Sequence, residues 1–277
     1  TAVATIWGNT IFTNVALADD GDIWWEGLTD RAPDRLVDWE GRPWIAGLPA
    51  PAAHPNGRFT VPAEQCPTIA AEWDDPNGVV IDAILFGGRR ATNIPLVAEA
   101  TDWEHGVFIG ATLASEQTAA AEGPVGILRH DPFAMLPFCG YDMGDYWQHW
   151  LGMGDKLGEH APRIFQVNWF RKGADGSFLW PGFGENSRVL EWIVRRLEGT
   201  VSTVQSPAGG LPRKDEFPLE GLDLRQGAWE ELFRIDPAAW LEESEQTAEL
   251  FDRVGATVPK PLRRRLTRLR WDLVSRL

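Results

Sequence analysis

Hydrophobic and polar positions follow two different periods along this chain. Short apolar runs at Ile11 to Ala16 and Ile23 to Glu26, separated by the polar turn Asp19-Asp20-Gly21-Asp22, predict an opening β unit. Residues 30–62 are rich in Pro, Gly and Trp without helical period, which predicts loop with short strands. The run Val79 to Phe86, interrupted by Asp82, predicts a buried strand that ends in Gly87-Gly88-Arg89-Arg90. Ligand sites in α/β folds favour such strand-to-loop ends. A helix from Pro95 to about Trp103 and a strand from Val107 to Leu113 follow. Small residues and a Gly-Pro-x-Gly break between Gln117 and Ile127 suit a mobile loop with hinges. Helices are predicted at Tyr141 to Met153 and Ser187 to Leu197, with a strand at Arg163 to Trp169 between them. In the second helix Val189, Leu190, Ile193, Val194 and Leu197 form one apolar face, and Gly199 fits its C-terminal cap.

Charge then changes character. Residues 215–252 carry twelve acids against two arginines, and residues 260–277 carry seven basic residues against one acid. Terminal helices of opposite charge, packed on each other or on the rest of the chain, are the expectation. A formal net charge of −14 argues against a general nucleic-acid binder, which needs a positive surface to displace counterions. Anionic ligands remain open where arginines concentrate locally, as at Arg58 and at Arg89-Arg90. The two cysteines, Cys66 and Cys139, form neither a CxxC nor a zinc pattern. With no signal peptide pattern and no apolar run long enough to span a bilayer, a cytoplasmic protein is expected. Fifteen tryptophans allow two readings, core packing or carbohydrate-binding platforms.

Three constellations carry possible chemistry. In His54-Pro55-Asn56-Gly57-Arg58-Phe59 a glycine separates an amide from a guanidinium fork, which together suit a carboxylate or phosphate. An Asx turn at Asn56 with Arg58 paired to a surface acid is the plainer alternative. In Gly87-Gly88-Arg89-Arg90 adjacent guanidiniums repel unless an anion or several acids lie between them; simple solvation is the other reading. The stretch from Asn168 to Arg188 crowds Trp169, Phe170, Phe178, Trp180 and Phe183 onto irregular backbone. Such a density suits a flat ligand, since base–aromatic stacking is worth roughly 1–3 kcal/mol per base. Asn186 stands one residue before Ser187, where a helix should begin, and either could be its cap, so Asn186 is a candidate cap as well as a candidate base contact. The histidines show no metal-ligand spacing, and no GxxxxGK[ST] phosphate cradle is present.

Taken in order, HPNGRF at 54–59, FGGRR at 86–90, HGVFIGA at 105–111, SEQTAAAEG at 115–123, HDPFAM at 130–135, NWFRK at 168–172 and FLWPGFGENSRVLEW at 178–192 resemble the GTP-dependent phosphoenolpyruvate carboxykinase family, in its actinobacterial style. TIFTNVA at 10–16 fits as well. The resemblance covers essentially the whole chain and is weakest after about residue 200. The NWFRK and PGFGEN aromatics belong to the GTP-using pattern rather than the ATP-using one.

The resemblance implies an α/β fold, a mixed sheet with helices, forming the C-terminal nucleotide-binding part of the carboxykinase, with 215–277 as a helical C-terminal region. It implies a reversible reaction in which oxaloacetate is decarboxylated and the enolate takes the γ-phosphoryl group of GTP, giving phosphoenolpyruvate, CO₂ and GDP. On that pattern Phe170 and Phe183 sandwich guanine with Phe178 alongside, and Asn186 with nearby backbone reads the base edge. Asn56 and Arg58 hold the substrate carboxylate and the transferring phosphoryl group, and Arg89 contacts the γ-phosphate. Gln117, Thr118, Ala119, Ala120, Ala121, Glu122 and Gly123 match the lid that closes over the site. The family's phosphate loop with its reactive cysteine, its substrate domain, and the lysine, histidine and aspartate that hold catalytic Mn²⁺ would lie before Thr1. Mg²⁺ would arrive with the nucleotide. This chain is therefore expected to be less than half of a monomeric parent enzyme, to supply no metal ligand, and to be inactive alone.

Overall fold

The computed structural model describes residues 9–117 and 127–277. Of the expected lid, Gln117 is described, and Thr118, Ala119, Ala120, Ala121, Glu122 and Gly123 lie outside the described residues. The chain divides into two compact units, one of Thr1–Val79 with Gln117–Gly126, the other of Val80–Glu116 with Ile127–Leu277.

The first unit is built from short strands and tight turns, as its Pro, Gly and Trp content predicts. Strands β1 (Ile11–Thr13), β2 (Ala16–Ala18), β3 (Ile23–Trp24), β4 (Arg35–Val37), β5 (Pro43–Ile45) and β6 (Arg58–Thr60) pair antiparallel. They form a ribbon β1-β6 and a four-stranded sheet in the order β3-β2-β4-β5. The polar turn between β2 and β3 forms because Gly21 takes φ +86° and the Asp20 carboxylate accepts from the Asp22 N–H at 3.0 Å. Ala16, Trp24, Leu36, Trp44 and Ala52 make a small core. Trp24 and Trp44 stack with centroids 6.1 Å apart, and their indole N–H groups donate to Thr29 Oγ1 and the Ala50 carbonyl at 3.0 and 2.7 Å.

The second unit holds a five-stranded mixed sheet. Its strands are β7 (Ala83–Gly87), β8 (Val97–Glu99), β11 (Arg163–Val167), β12 (Thr203–Ser206) and β13 (Gly209–Pro212), ordered β12-β13-β8-β11-β7. A separate hairpin joins β9 (Ala114–Glu116) to β10 (Leu128–His130). Only β11 and β7 run parallel, with Ile164 opposite Ile84 and Val167 opposite Gly87. The pleat splits the apolar side chains between two layers. Ile164 and Phe86 face a core built on helices α1 (Trp103–Ala111), α2 (Met143–Leu157), α5 (Pro237–Val254) and α6 (Lys260–Val274). Phe165 and Val167 face a second core with Trp180, Phe217, and helices α3 (Asn186–Leu197) and α4 (Ala228–Phe233). Each such aliphatic or aromatic burial contributes roughly 1.5–3 kcal/mol.

Two elements exchange places relative to the sequence pattern. Residues 97–99 form β8 instead of a helix, and Val107 to Ala111 belong to α1 instead of a strand. Helix α1 is buried on every side, so no polar stripe reveals its period. Its start is set by Asp102, whose carboxylate accepts from the His105 N–H at 2.7 Å. Two glycines admit its neighbours, since a Cβ at Gly106 would lie 2.3 Å from Ile164 Cδ1 and one at Gly110 would lie 2.6 Å from Phe133. The strand expected from Val79 begins only at Ala83, and Val79, Val80 and Ile81 are exposed. In α3 the buried face is Val189, Trp192 and Ile193, whereas Leu190 and Val194 point outward. Gly199 follows that helix at φ +73°. The oppositely charged terminal helices pack as expected: Arg270 of α6 pairs with Glu245 of α5 at 3.0 Å, and Arg265 pairs with Asp102 and Glu104 around the start of α1. Among the described residues no helix is long and apolar enough to cross a membrane.

Candidate functional site

The end of β7 delivers the Gly87-Gly88-Arg89-Arg90 loop, and several contacts fix its path. Gly88 passes so close to β9 that a Cβ there would sit 2.5 Å from the Ala114 carbonyl oxygen. The Arg89 N–H donates to Ser115 Oγ at 3.0 Å, and the Arg89 carbonyl accepts from the Glu116 N–H at 2.8 Å. Glu116 then accepts from the Ala91 N–H at 2.6 Å through its carboxylate. Glycine is required here for close approach.

The paired arginines separate into different roles. Arg90 is buried and makes a bidentate pair with Glu243 at 2.6 and 2.7 Å, to which Asn93 Nδ2 adds a contact at 2.9 Å. Burial works against the Glu243 carboxylate, but the hydrogen bonds and charge of Arg90 outweigh it and hold its pKa below the usual range. Arg89 is exposed, and its guanidinium carbon lies 4.8 Å from the centre of the Phe170 ring. Among the described residues Arg89 has no carboxylate partner. Repulsion between the neighbours is thus relieved by an internal acid for one and by outward orientation for the other.

The aromatic stretch begins where β11 ends. Asn168 is 1% exposed and ties this segment to the arginine loop: its Nδ2 donates to the carbonyls of Arg90 and Ile94 at 2.9 and 3.0 Å. Arg171 reinforces the crossing with bonds to the carbonyls of Asn93, Leu232 and Arg234 at 3.1, 3.2 and 2.8 Å. Burial, with the nearby Arg234 charge, draws the Arg171 pKa down to about 10, so it stays charged at neutral pH. A tight reversal at 173–176 brings Phe178 back beside Lys172, bridged backbone to backbone. The Phe170 and Phe178 rings meet edge to face at 6.2 Å and 70°, and Lys172 Nζ stands 5.1 Å from the Phe178 centre.

Past Gly182 (φ +75°), Phe183 takes φ +51° and remains 83% exposed. A left-handed conformation costs a non-glycine residue roughly 1–2 kcal/mol, and this one exposes a large ring as well. A 3₁₀ turn at Phe183–Glu185 leads directly into α3. Asn186 lies inside that helix and makes no capping bond, contrary to the cap expectation; Ser187 does not cap either, its hydroxyl donating to the Gly184 carbonyl at 2.7 Å. Instead, Asn186 Oδ1 accepts from the Trp180 indole N–H at 2.9 Å.

The first unit positions its own candidates. The Gly57 N–H closes the turn on the His54 carbonyl at 2.9 Å, and His54 Nδ1 accepts from the Asn56 N–H at 3.0 Å. Asn14 braces the turn from both sides, accepting from the His54 N–H at 3.0 Å and donating to the Asn56 carbonyl at 3.2 Å. Glu26 anchors the preceding segment by accepting from the N–H groups of Ala52 and Ala53 at 2.6 and 3.2 Å. The turn therefore does not rest on an Asx bond. Arg58 is exposed and, among the described residues, has no surface acid as partner.

Sequence reasoning singled out Arg89, Phe170 and Phe178, and these stand together in the second unit. Asn56 and Arg58 share one turn of the first. It missed the division of labour between Arg89 and Arg90, the partnership of Trp180 with Asn186, and the clamp made by Asn168. Trp147, Trp180 and Trp192 are fully buried, which favours packing over carbohydrate platforms for these three. Among the described residues no group of three or more His, Cys, Asp or Glu side chains converges. The described residues therefore offer no donor set that fits the Mn²⁺ the resemblance implies.

The family model of the phosphoenolpyruvate carboxykinase C-terminal P-loop domain matches residues 1–271. The chain is 52% identical over 273 residues to a phosphoenolpyruvate carboxykinase [GTP] of Chlamydia pneumoniae, covering 98% of this chain and 45% of that protein. The protein of the same name from Paenarthrobacter aurescens is 51% identical over 267 residues, covering 96% and 44% respectively. That from Corynebacterium efficiens is 54% identical over 253 residues, covering 91% and 41%. The chain thus spans less than half the length of these curated relatives.

Proposed function

The chain belongs to the GTP-dependent phosphoenolpyruvate carboxykinase family, and we propose that its residues supply the guanine pocket and the anion-binding arginines of that reaction. The observation that carries the reading is the union of an exposed Arg89 with Phe170 on one loop crossing, 4.8 Å apart. A guanine base stacks between Phe170 and Phe183, with Phe178 at its edge. Stacking alone accepts any base, so selectivity has to come from hydrogen bonds.

Asn186 provides that selectivity in a defined sense. An indole nitrogen can only donate, so the bond from Trp180 identifies the oxygen of the Asn186 amide and leaves its Nδ2 as the free, donating end. A donor suits the O6 acceptor of guanine and opposes the N6 amino group of adenine.

In the second unit Arg89 places its charge against the γ-phosphate of GTP; in the first, Arg58 with Asn56 holds the carboxylate of oxaloacetate or phosphoenolpyruvate. These roles are positioning and electrostatic neutralisation, which dominate phosphoryl transfer. The segment from Gln117 to Gly123 acts as the lid that shields the enolate from protonation. The 277 residues by themselves bind guanine nucleotide without turnover, because charge stabilisation by metal ions and a phosphate cradle is needed as well. Calorimetric titration of the chain with GDP and ADP tests the reading: GDP should bind at least tenfold more tightly, the scale of one satisfied against one opposed hydrogen bond. Equal affinities would overturn it.

A further inference from the structure

We propose that Asn168 is a positioning residue that couples the two halves of the nucleotide site, holding the γ-phosphate arginine and the base-stacking phenylalanine in one register. The proposal rests on the nucleotide reading above. The four hydrogen-bonding positions of the Asn168 amide are all engaged by backbone. Its Oδ1 accepts from the N–H groups of Arg90 and Phe170 at 3.3 and 3.1 Å, and its Nδ2 donates to the carbonyls of Arg90 and Ile94 at 2.9 and 3.0 Å. With two acceptor lone pairs and two N–H groups in use, no atom of this side chain is left for a ligand. Its effect on nucleotide must therefore pass through the backbone it holds.

The pattern of those bonds identifies what is held. Arg90 is gripped at both its N–H and its C=O, so the peptide groups on either side of it are oriented by one amide. The first of these peptides carries the carbonyl of Arg89 and therefore directs the Arg89 side chain. The same Oδ1 holds the N–H of Phe170, the residue over whose ring the Arg89 guanidinium sits. Other side chains cannot repeat this. Aspartate would turn two donors into lone pairs facing the carbonyls of Arg90 and Ile94, and would bury a charge. Serine offers one donor and does not reach four partners. Glutamine has the right groups one methylene too far out.

Separate variants of the two halves give the frame for the test. Titrating the 277-residue chain with GTP and GDP, Arg89→Ala should remove the preference for GTP over GDP while largely keeping GDP affinity. Phe170→Ala should weaken GDP while keeping the preference. Asn168→Asp and Asn168→Ser should do both, lowering GDP affinity about tenfold and bringing the GTP-to-GDP affinity ratio close to that of Arg89→Ala. The serine variant adds no charge and decides the matter if the aspartate variant fails to fold. A merely structural role would lower the melting temperature and leave the ratio and the GDP affinity unchanged well below melting; that result overturns the proposal while wild-type binding upholds the nucleotide reading. A wild-type chain that binds neither nucleotide overturns the nucleotide reading and this inference with it.

Discussion

The indole N–H of Trp180 donates to Asn186 Oδ1 at 2.9 Å from a ring that is 1% exposed, so the amide proposed to read the base is oriented from within the core. Trp180→Phe preserves most of the packing against Phe217 but frees the amide to rotate. We expect a stability loss of about 1 kcal/mol and a fall of several-fold in the GDP-over-ADP preference, read by parallel titrations. Unaltered discrimination would show that the orientation of Asn186 does not select the base.

Trp169 is half-buried directly beside Phe170, and Trp180 contacts Asn186. GDP is therefore expected to quench tryptophan fluorescence far more than ADP does. Equal quenching by both nucleotides would mean that the base edge goes unread.

The twin arginines should respond in opposite ways. Glu243→Gln leaves the Arg90 guanidinium buried without its counter-charge, which by analogy with broken buried pairs costs about 3–5 kcal/mol in urea unfolding. Arg89→Ala alters an exposed side chain and should shift unfolding by less than about 0.5 kcal/mol while weakening GTP. A large stability loss at Arg89 would contradict this division.

His105 gives the protein an acid-side dependence. Burial first, and then the neighbouring Arg265 charge, lowers its pKa to about 4. The unfolded chain takes up this proton as pH falls through about 6.5, whereas the folded chain resists until about 4, so stability is full above about 6.5 and is lost as pH falls across that window. The difference corresponds to about 3 kcal/mol. His130 is shifted in the same direction, again chiefly by burial, and adds to the slope. Unfolding midpoints of His105→Gln between those pH values should show a flatter profile than wild type; an identical profile would assign the dependence elsewhere.

Helix α1 depends on the absence of one methyl group. At Gly106 a Cβ would lie 2.3 and 2.6 Å from two atoms of Ile164 in β11. Gly106→Ala, although it raises helix propensity, is expected to destabilise by about 1–3 kcal/mol in chemical unfolding. A stabilised variant would show that β11 can shift to make room.

What could be read in advance depended on how local the cause was. The turn at Gly21, helices α2 and α3, and the aromatic stretch from Asn168 to Arg188 are visible in short windows, because spacing and turn residues generate them. Helix α1 escapes such a window: Val107-Phe108-Ile109 is apolar on all sides, and only contact with Ile164 and Phe133 explains its glycines. Val79-Val80-Ile81 has the composition of a buried strand, yet Val80 is 85% exposed, since pairing with β11 begins only at Ala83. In the site, residue types were legible and partnerships were not. The separation of Arg90 from Arg89 depends on Glu243, 153 positions away, and the role of Asn168 depends on a loop 78 positions earlier.

Phe183 sets the interests of the fold against those of the proposed guanine site. It holds a left-handed backbone and an 83% exposed ring, and asparagine would tolerate that backbone better and hydrate more readily. Phe183→Asn should accordingly melt higher and bind GDP more weakly, two signs that paired measurements can read together. Laboratory evolution for heat tolerance alone would then discard this ring early, and the robust variants it yielded would have to be screened for ligand to learn what had been lost.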